Sequence, residues 1–282
     1  MDKRAVNRVV VGEASVDGAG VKLRRLFGGR SAKDFDPFLL LDGFNSTNPD
    51  DYKKGFPWHP HRGIETVTYL ISGAMEHSDS LGNKGVIRGG ECQWMTAGSG
   101  ILHQEMPIES DLLMGVQLWV NLPQKDKMVD PAYRDISAEM ITKVEEDGVT
   151  VKIIAGAYAD QMGAIERSYV AVRLLDVEIE PNREWTLKGD SANALFCYVF
   201  TGEAAFGEKQ EVVGPSSIAL MEDGETLLVK SGAEGVRFLV AEGPPLDEEI
   251  AWGGPIVMNT REEIHQAFKE LEEGTFIKKG NS

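Results

Sequence analysis

GFPWHPHRGIETVTYLISGAMEHSDSLGNKGVIRGGECQWMTAGSGILHQEMP, residues 55–107, holds four of the chain's five histidines. His59 and His61 are separated by one residue, so in an extended segment both imidazoles project from the same face. The same period of two puts His103 and Glu105 on one face of an extended Ile101 to Met106 segment, with Leu102, Gln104 and Met106 on the other. Two strands that each carry one such pair can enclose a single ion. Between the pairs, Thr66 to Ser72 (TVTYLIS) is rich in β-branched and aromatic residues and is closed by Gly73, which predicts a strand. Ala97 to Gly100 (AGSG) supplies the tight backbone needed just before His103. His77 has no partner at ligand spacing and is read as a surface residue. The prediction is an all-β fold whose first part is a small antiparallel barrel with inward ligands.

Outward from this stretch, Val6 to Glu13 and Val21 to Phe27 look strand-like across a turn and are expected to pair. Phe38 to Leu41 is a short apolar run, and Leu112 to Leu122 alternates as a buried strand ending at Pro123. Gln124 to Asp135 is polar and contains Pro131, so the domain boundary is placed there: 1–134 as a metal-binding domain and 135–282 as a second one. The second part echoes the first, with Tyr198-Val199-Phe200-Thr201-Gly202 matching Tyr69-Leu70-Ile71-Ser72-Gly73. It therefore predicts a second antiparallel β-barrel. Carrying the repeat across puts the ligand positions near Lys188, Asp190, Val229 and Ser231, and no histidine lies between His103 and His265. The second domain thus lacks a ligand set. Thr260 to Glu273 is a short C-terminal helix with a Thr260/Glu263 capping box, an apolar stripe of Ile264, Ala267, Phe268 and Leu271, and Gly274 as its stop. His265 sits beside that stripe, at the surface.

The formal net charge of -16 argues against a nucleic-acid or anionic-membrane surface, since such partners need a basic patch to displace counterions. The chain has two cysteines, Cys92 and Cys197, one in each expected domain, which reads as reduced, buried filler rather than a disulfide framework. Neither a signal-peptide run nor a membrane-spanning run is present, so the expected location is the cytoplasm.

Three runs carry a family resemblance: Gly-x-x-x-His-Pro-His-Arg-Gly-x-Glu-Thr-Val from Gly55, Gln-Trp-Met-Thr-Ala-Gly-x-Gly-Ile-Leu-His-x-Glu-Met-Pro from Gln93, and Gln-Leu-Trp-Val-Asn-Leu-Pro from Gln117. With Gly-Pro-Ile-Val-Met-Asn-Thr from Gly254, they resemble the pirin family of the cupin superfamily. The resemblance implies two cupin, jelly-roll-like barrels and iron bound by His59, His61, His103 and Glu105. On spacing alone Glu65 competes for the carboxylate position, four residues after His61 and on its face by parity. The resemblance favours Glu105 and leaves Glu65 near the site. It also fits Gly98-Ser99-Gly100, where a general cupin has Pro-x-Gly.

Three imidazoles and a carboxylate suit one divalent first-row ion: iron, manganese, cobalt, nickel, copper or zinc. The resemblance implies Fe(II). Four protein ligands leave positions for dioxygen or a chelating substrate, and Phe56, Pro57 and Trp58 can wall an aromatic one. The implied activity is that of a quercetin 2,3-dioxygenase, opening a flavonol ring with dioxygen, with Glu105 as ligand and base for the hydroxyl proton. The alternative the resemblance carries is an iron-binding, redox-sensitive regulator of a transcription factor or a metabolic enzyme complex. Arg62 lies on the opposite strand face from its histidine neighbours and is assigned a backbone or surface contact.

Overall fold

The structure is a computed structural model that describes residues 2–165 and 168–278. Its regular structure is almost all strand, with one α-helix, Arg261–Glu272, among the described residues. No helix among them is long and apolar enough to cross a membrane.

The chain divides into two compact units, and neither is contiguous. The histidine-bearing unit comprises Ala14–Ala32, Phe38–Ala138 and Leu246–Ser282; the other comprises Met1–Glu13, Lys33–Pro37 and Glu139–Pro245. A single cut between 134 and 135 therefore matches neither unit. The physical reason is long-range pairing. Val6–Val11 does not pair with Val21–Phe27; it pairs antiparallel with Ser217–Met221, Val9 opposite Ala219, while Val21–Phe27 pairs with Phe38–Ser46.

The histidine unit contains two sheets. The seven-stranded sheet runs Ala132–Ile136, Cys92–Thr96, Ile64–Ser72, Leu113–Asn121, Phe38–Ser46, Val21–Phe27, Glu13–Asp17. The four-stranded sheet runs Phe56–His61, Ile101–Ile108, Ala74–Asp79, Lys84–Arg88. Each sheet keeps two ends, so the expected barrel closure does not occur: side chains, not a continuous ladder, join the two layers. Phe44 and Leu70 from one sheet and Phe56, Met75 and Ile87 from the other share one apolar cluster. Burying such faces against each other is the main stabilising term for a layered β unit.

The chain crosses from one sheet to the other at Gly63. That residue has φ +77°, and a Cβ there would come within 2.0 Å of the Val257 carbonyl oxygen, so only glycine fits. Two buried cations hold this corner. Lys127 Nζ donates to Gly63 O at 2.8 Å, Val257 O at 3.1 Å and Asn121 Oδ1 at 2.6 Å. Of the backbone or surface contact expected for Arg62, the structure shows the backbone one: the residue is buried, and its Nε donates to Ser99 O at 2.7 Å. Its Nη2 donates to Glu270 Oε2 at 2.7 Å and Phe276 O at 3.1 Å, and the guanidinium lies 4.2 Å from the Phe276 ring centroid. The terminal helix has the expected capping box, with Glu263 N donating to Thr260 Oγ1 at 3.2 Å and Thr260 N donating to Glu263 Oε2 at 2.8 Å. Its stripe buries Ile264 and Ala267, Leu271 packs against the same cluster, and Phe268 stays exposed, as does His265.

The second unit is built on a nine-stranded sheet around an apolar core. There the antiparallel pairing of Glu184–Lys188 with Thr226–Gly243 puts Trp185 opposite Val229 and Leu187 opposite Leu227. The histidine unit puts His59 opposite His103 and His61 opposite Ile101 in the corresponding pairing. The residues at the register of His59 and His61 are thus Trp185 and Leu187, rather than Lys188 and Asp190, and both lie in the apolar core. Ser231 is buried with its hydroxyl donating to Glu180 O at 2.6 Å. Cys92 and Cys197 are both free and buried, as expected.

Candidate metal centre

Phe56–His61 and Ile101–Ile108 are adjacent antiparallel strands, and their register sets His103 directly opposite His59. Period-two alternation then brings His61 and Glu105 to the same face: Ile101–Ile108 alternates buried and half-buried with His103 and Glu105 both buried. A register shift between His103 and Glu105 sets Glu105 opposite Phe56.

The structure gathers His59, His61 and His103 with their donor nitrogens within 4.8 Å of one another. His59 Nδ1 donates to Pro57 O at 2.8 Å, and His61 Nδ1 donates to Pro255 O at 2.9 Å. Carbonyls can only accept, so these bonds fix the Nδ1–H tautomer and turn both Nε2 atoms inward. The two Nε2 atoms are 3.1 Å apart. Two imidazole donors take that spacing when both lie about 2.1 Å from one cation. His103 is buried with neither ring nitrogen partnered, a state that leaves polar atoms uncompensated unless something binds them. Burial, reinforced by His59, pushes His61 down to about 3; burial and the neighbouring imidazoles push His103 well below the usual histidine range. Both are therefore neutral at physiological pH, the form in which imidazole ligates. This donor set fits a first-row divalent ion.

Glu105 is not among the gathered donors. Its carboxylate is held by the opposite sheet: Oε1 accepts from Thr68 Oγ1 at 2.8 Å and Oε2 accepts from Gln117 Nε2 at 2.6 Å. Each oxygen keeps a second lone pair. Glu65 stands elsewhere. The parity that would put it beside His61 is broken at Gly63, where the chain changes sheet. Glu65 pairs with Thr96, and the adjacent Thr66 and Thr68, not Glu65, alternate to the face that carries Gln117 and Trp119. Its Oε1 accepts from Thr96 Oγ1 at 2.7 Å, its Oε2 is buried without a partner, and burial raises its pKa against the pull of Thr96 and Trp94.

His77 is not a surface residue. It is buried, stacks on Tyr133 with centroids 4.2 Å apart and lies 5.3 Å from the His103 ring. The Ala74–Asp79 strand sets it opposite Glu105 and sets Asp79 opposite His103. The signal for this was the alternation Met75, His77, Asp79, all three buried in a strand that ligand spacing alone does not single out.

Beside the histidines a cleft of about 760 Å³ opens, lined by His59 and His61 together with Leu40, Phe56, Pro57, Trp119 and Trp252. Trp119 packs edge-on against His61 at 5.0 Å and stacks on Trp252 at 5.8 Å. Phe56 and Pro57 thus form walls as expected, whereas Trp58 is half exposed and outside the lining. A cleft of this size, mostly apolar with a few convergent polar groups, suits a small planar ligand.

Residues 20–120 match the family model described as Pirin, and residues 174–277 match the Pirin C-terminal cupin domain. A Pseudomonas aeruginosa protein named "Putative quercetin 2,3-dioxygenase" is 44% identical over 279 residues, covering 96% of this chain and 97% of that one. Human pirin is 37% identical over 274 residues, covering 95% of this chain and 92% of its own. The crystal structure of a quercetin 2,3-dioxygenase from Acinetobacter baumannii superposes with a TM-score of 0.87 at 32% identity, covering 98% of each chain. Two sheet-built units, the paired histidine motifs and these matches over almost the whole length give one conclusion: the chain belongs to the pirin family, with that family's cupin-like two-domain fold.

Proposed function

We propose that this pirin is a metal-dependent dioxygenase acting on a hydroxylated planar aromatic of the flavonol class, quercetin being the reference compound. The observation that carries the reading is the juxtaposition of three gathered imidazoles, half-buried His59 with buried His61 and His103, with an apolar cleft walled by Trp119 and Trp252. The names carried by its relatives support the same chemistry. His59, His61 and His103 hold one divalent ion, Fe(II) in this reading, with manganese, cobalt, nickel, copper and zinc as the other ions the donor set accepts. When bound, that ion supplies Lewis acidity and electron exchange with dioxygen.

The chain's own residues do the rest. Glu105, its orientation fixed by Thr68 and Gln117, would add a carboxylate to the three histidines and would accept a proton from a substrate hydroxyl. The tryptophan walls orient the ring and exclude water from it.

The test is anaerobic loading with each candidate ion, followed by oxygen consumption against a flavonol panel. Turnover that tracks one ion and disappears in His103→Ala supports the reading. A loaded protein that consumes no oxygen with any flavonol overturns it in favour of a metal-dependent regulatory role.

A further inference from the structure

A continuous polar row crosses the seven-stranded sheet beneath this site. Register pairs Gln93 with Thr68, Thr68 with Gln117, Gln117 with Asp42 and Asp42 with Arg25, so all five share one face. Thr68 and Gln117, in the middle of the row, hold Glu105. Asp42 and Arg25, further along it, line the cleft together with Gln117, His59 and His61. The row therefore runs from the metal site into the part of the cleft that the histidines do not occupy.

Asp42 is an unusual residue for a cleft wall. Its side chain is only 4% exposed, and Arg25 grips both oxygens, Nε to Oδ1 at 2.9 Å and Nη2 to Oδ2 at 2.7 Å. Arg25 Nη2 also donates to Asp17 Oδ2 at 2.7 Å. A carboxylate offers about four lone-pair sites, and this pairing uses two, leaving fixed acceptor capacity on a group that cannot rotate. The three charges sum to one net negative. That end of the cleft thus offers acceptors to a ligand, favours hydroxyl donors and repels anions. Its geometry is pre-set by the ladder, so a ligand need not order it.

We infer that Asp42, clamped by Arg25, reads a hydroxyl group on the part of the substrate remote from the metal. The preferred substrate is a flavonol-like aromatic with a free hydroxyl donor, and no anionic substituent, on its distal ring. This rests on the dioxygenase reading above for the placement of the chelating end. Arg25 is a positioning residue in this assignment, and Asp42 the specificity determinant.

The test measures binding to the full-length, metal-loaded protein without oxygen, through quenching of tryptophan emission. The probes are flavonols that share one core and differ only on the distal ring: unsubstituted, 3′,4′-dihydroxy, 3′,4′-dimethoxy and 4′-carboxy. The dihydroxy compound should bind ~10-fold tighter than the unsubstituted and dimethoxy compounds, as a hydrogen bond to a charged group allows, and the carboxylate weakest. In Asp42→Asn the dihydroxy advantage should shrink to roughly 2-fold, because the acceptor loses its charge. Equal affinities in the wild type overturn the inference without reliance on a variant, as does full discrimination retained in Asp42→Asn. Oxygen turnover of the unsubstituted flavonol separates the two readings. Discrimination without turnover leaves Asp42 assigned and removes the dioxygenase; turnover without discrimination does the reverse.

Discussion

Arg62 and Glu270 are 208 positions apart in the chain and form a 2.7 Å ion pair from which water is largely excluded, with side chains 2% and 13% exposed. The pair ties the residue after His61 to the terminal helix. Removing one partner of such a pair leaves the other charge poorly compensated, although Glu270 keeps Lys278 at 2.7 Å. Arg62→Met, which retains the aliphatic volume, is expected to destabilise the metal-free protein by about 3 kcal/mol and to loosen His61. Urea unfolding and metal competition with a chelator read the two effects; an unchanged midpoint would show that the tail contact is dispensable.

Replacing His59, His61 or His103 with alanine is expected to lower the metal retained after desalting at least ~10-fold while leaving the β circular dichroism in place. The apolar clusters that hold the sheets together do not include these side chains. Wild-type apo-protein should saturate at one equivalent, because Trp185, Leu187 and Val229 occupy the corresponding register in the second unit. A second tight equivalent in elemental analysis would contradict this.

Thr68→Val and Gln117→Leu each delete one donor to Glu105. Outer partners of ligands commonly tune affinity or activity by ~10–100-fold, so each variant should fall in that range and the double variant should not be additive. The readout is the ratio of kcat to metal affinity across the cycle. Wild-type values in both singles would remove Glu105 from the centre.

Glu65 gives a pH prediction of definite sign. Burial raises its folded pKa above the unfolded value near 4.3, so its contribution is fully present below that pH and is lost as pH rises through the folded pKa. Glu65→Gln keeps an acceptor for Thr96 and cannot ionise. It should match the wild type in denaturant at pH 4 and exceed it by ~1–3 kcal/mol at pH 8. Parallel stability curves for the two proteins would mean that Glu65 stays ionised and satisfied.

What could be read from the sequence was what depends on period two within one strand. His59 with His61 and His103 with Glu105 each needed only the alternation of a single extended segment, and each pair came out on one face. The errors all lie where a strand ends or pairs at long range. Glu65 changed face because the chain turns at Gly63 between two sheets. His77 was misplaced because its neighbours, Glu105 and His103, come from a strand more than twenty residues on. Val6–Val11 went to a partner more than two hundred residues away, and barrel closure depends on edges that no local pattern encodes. Arg62, Lys127 and Asp42 drew no prediction of a site role because a charged residue is by default a surface residue, and only the fold shows what covers them.

The order in which the chain is made adds a constraint on when the proposed metal site can be filled. The proposed ligands His59, His61 and His103 leave the ribosome early, but the carbonyl that fixes the His61 tautomer belongs to Pro255, and the contacts that lock the Arg62 corner come from Glu270 and Phe276. During vectorial synthesis a nascent chain exposes three histidines with unset ring orientations while the Glu139–Pro245 part of the other unit is still being translated. On the proposed metal centre, faithful loading has to wait for release of the chain, and a cell that offers a tightly binding competitor such as copper to the growing polypeptide risks filling the site before its geometry can discriminate.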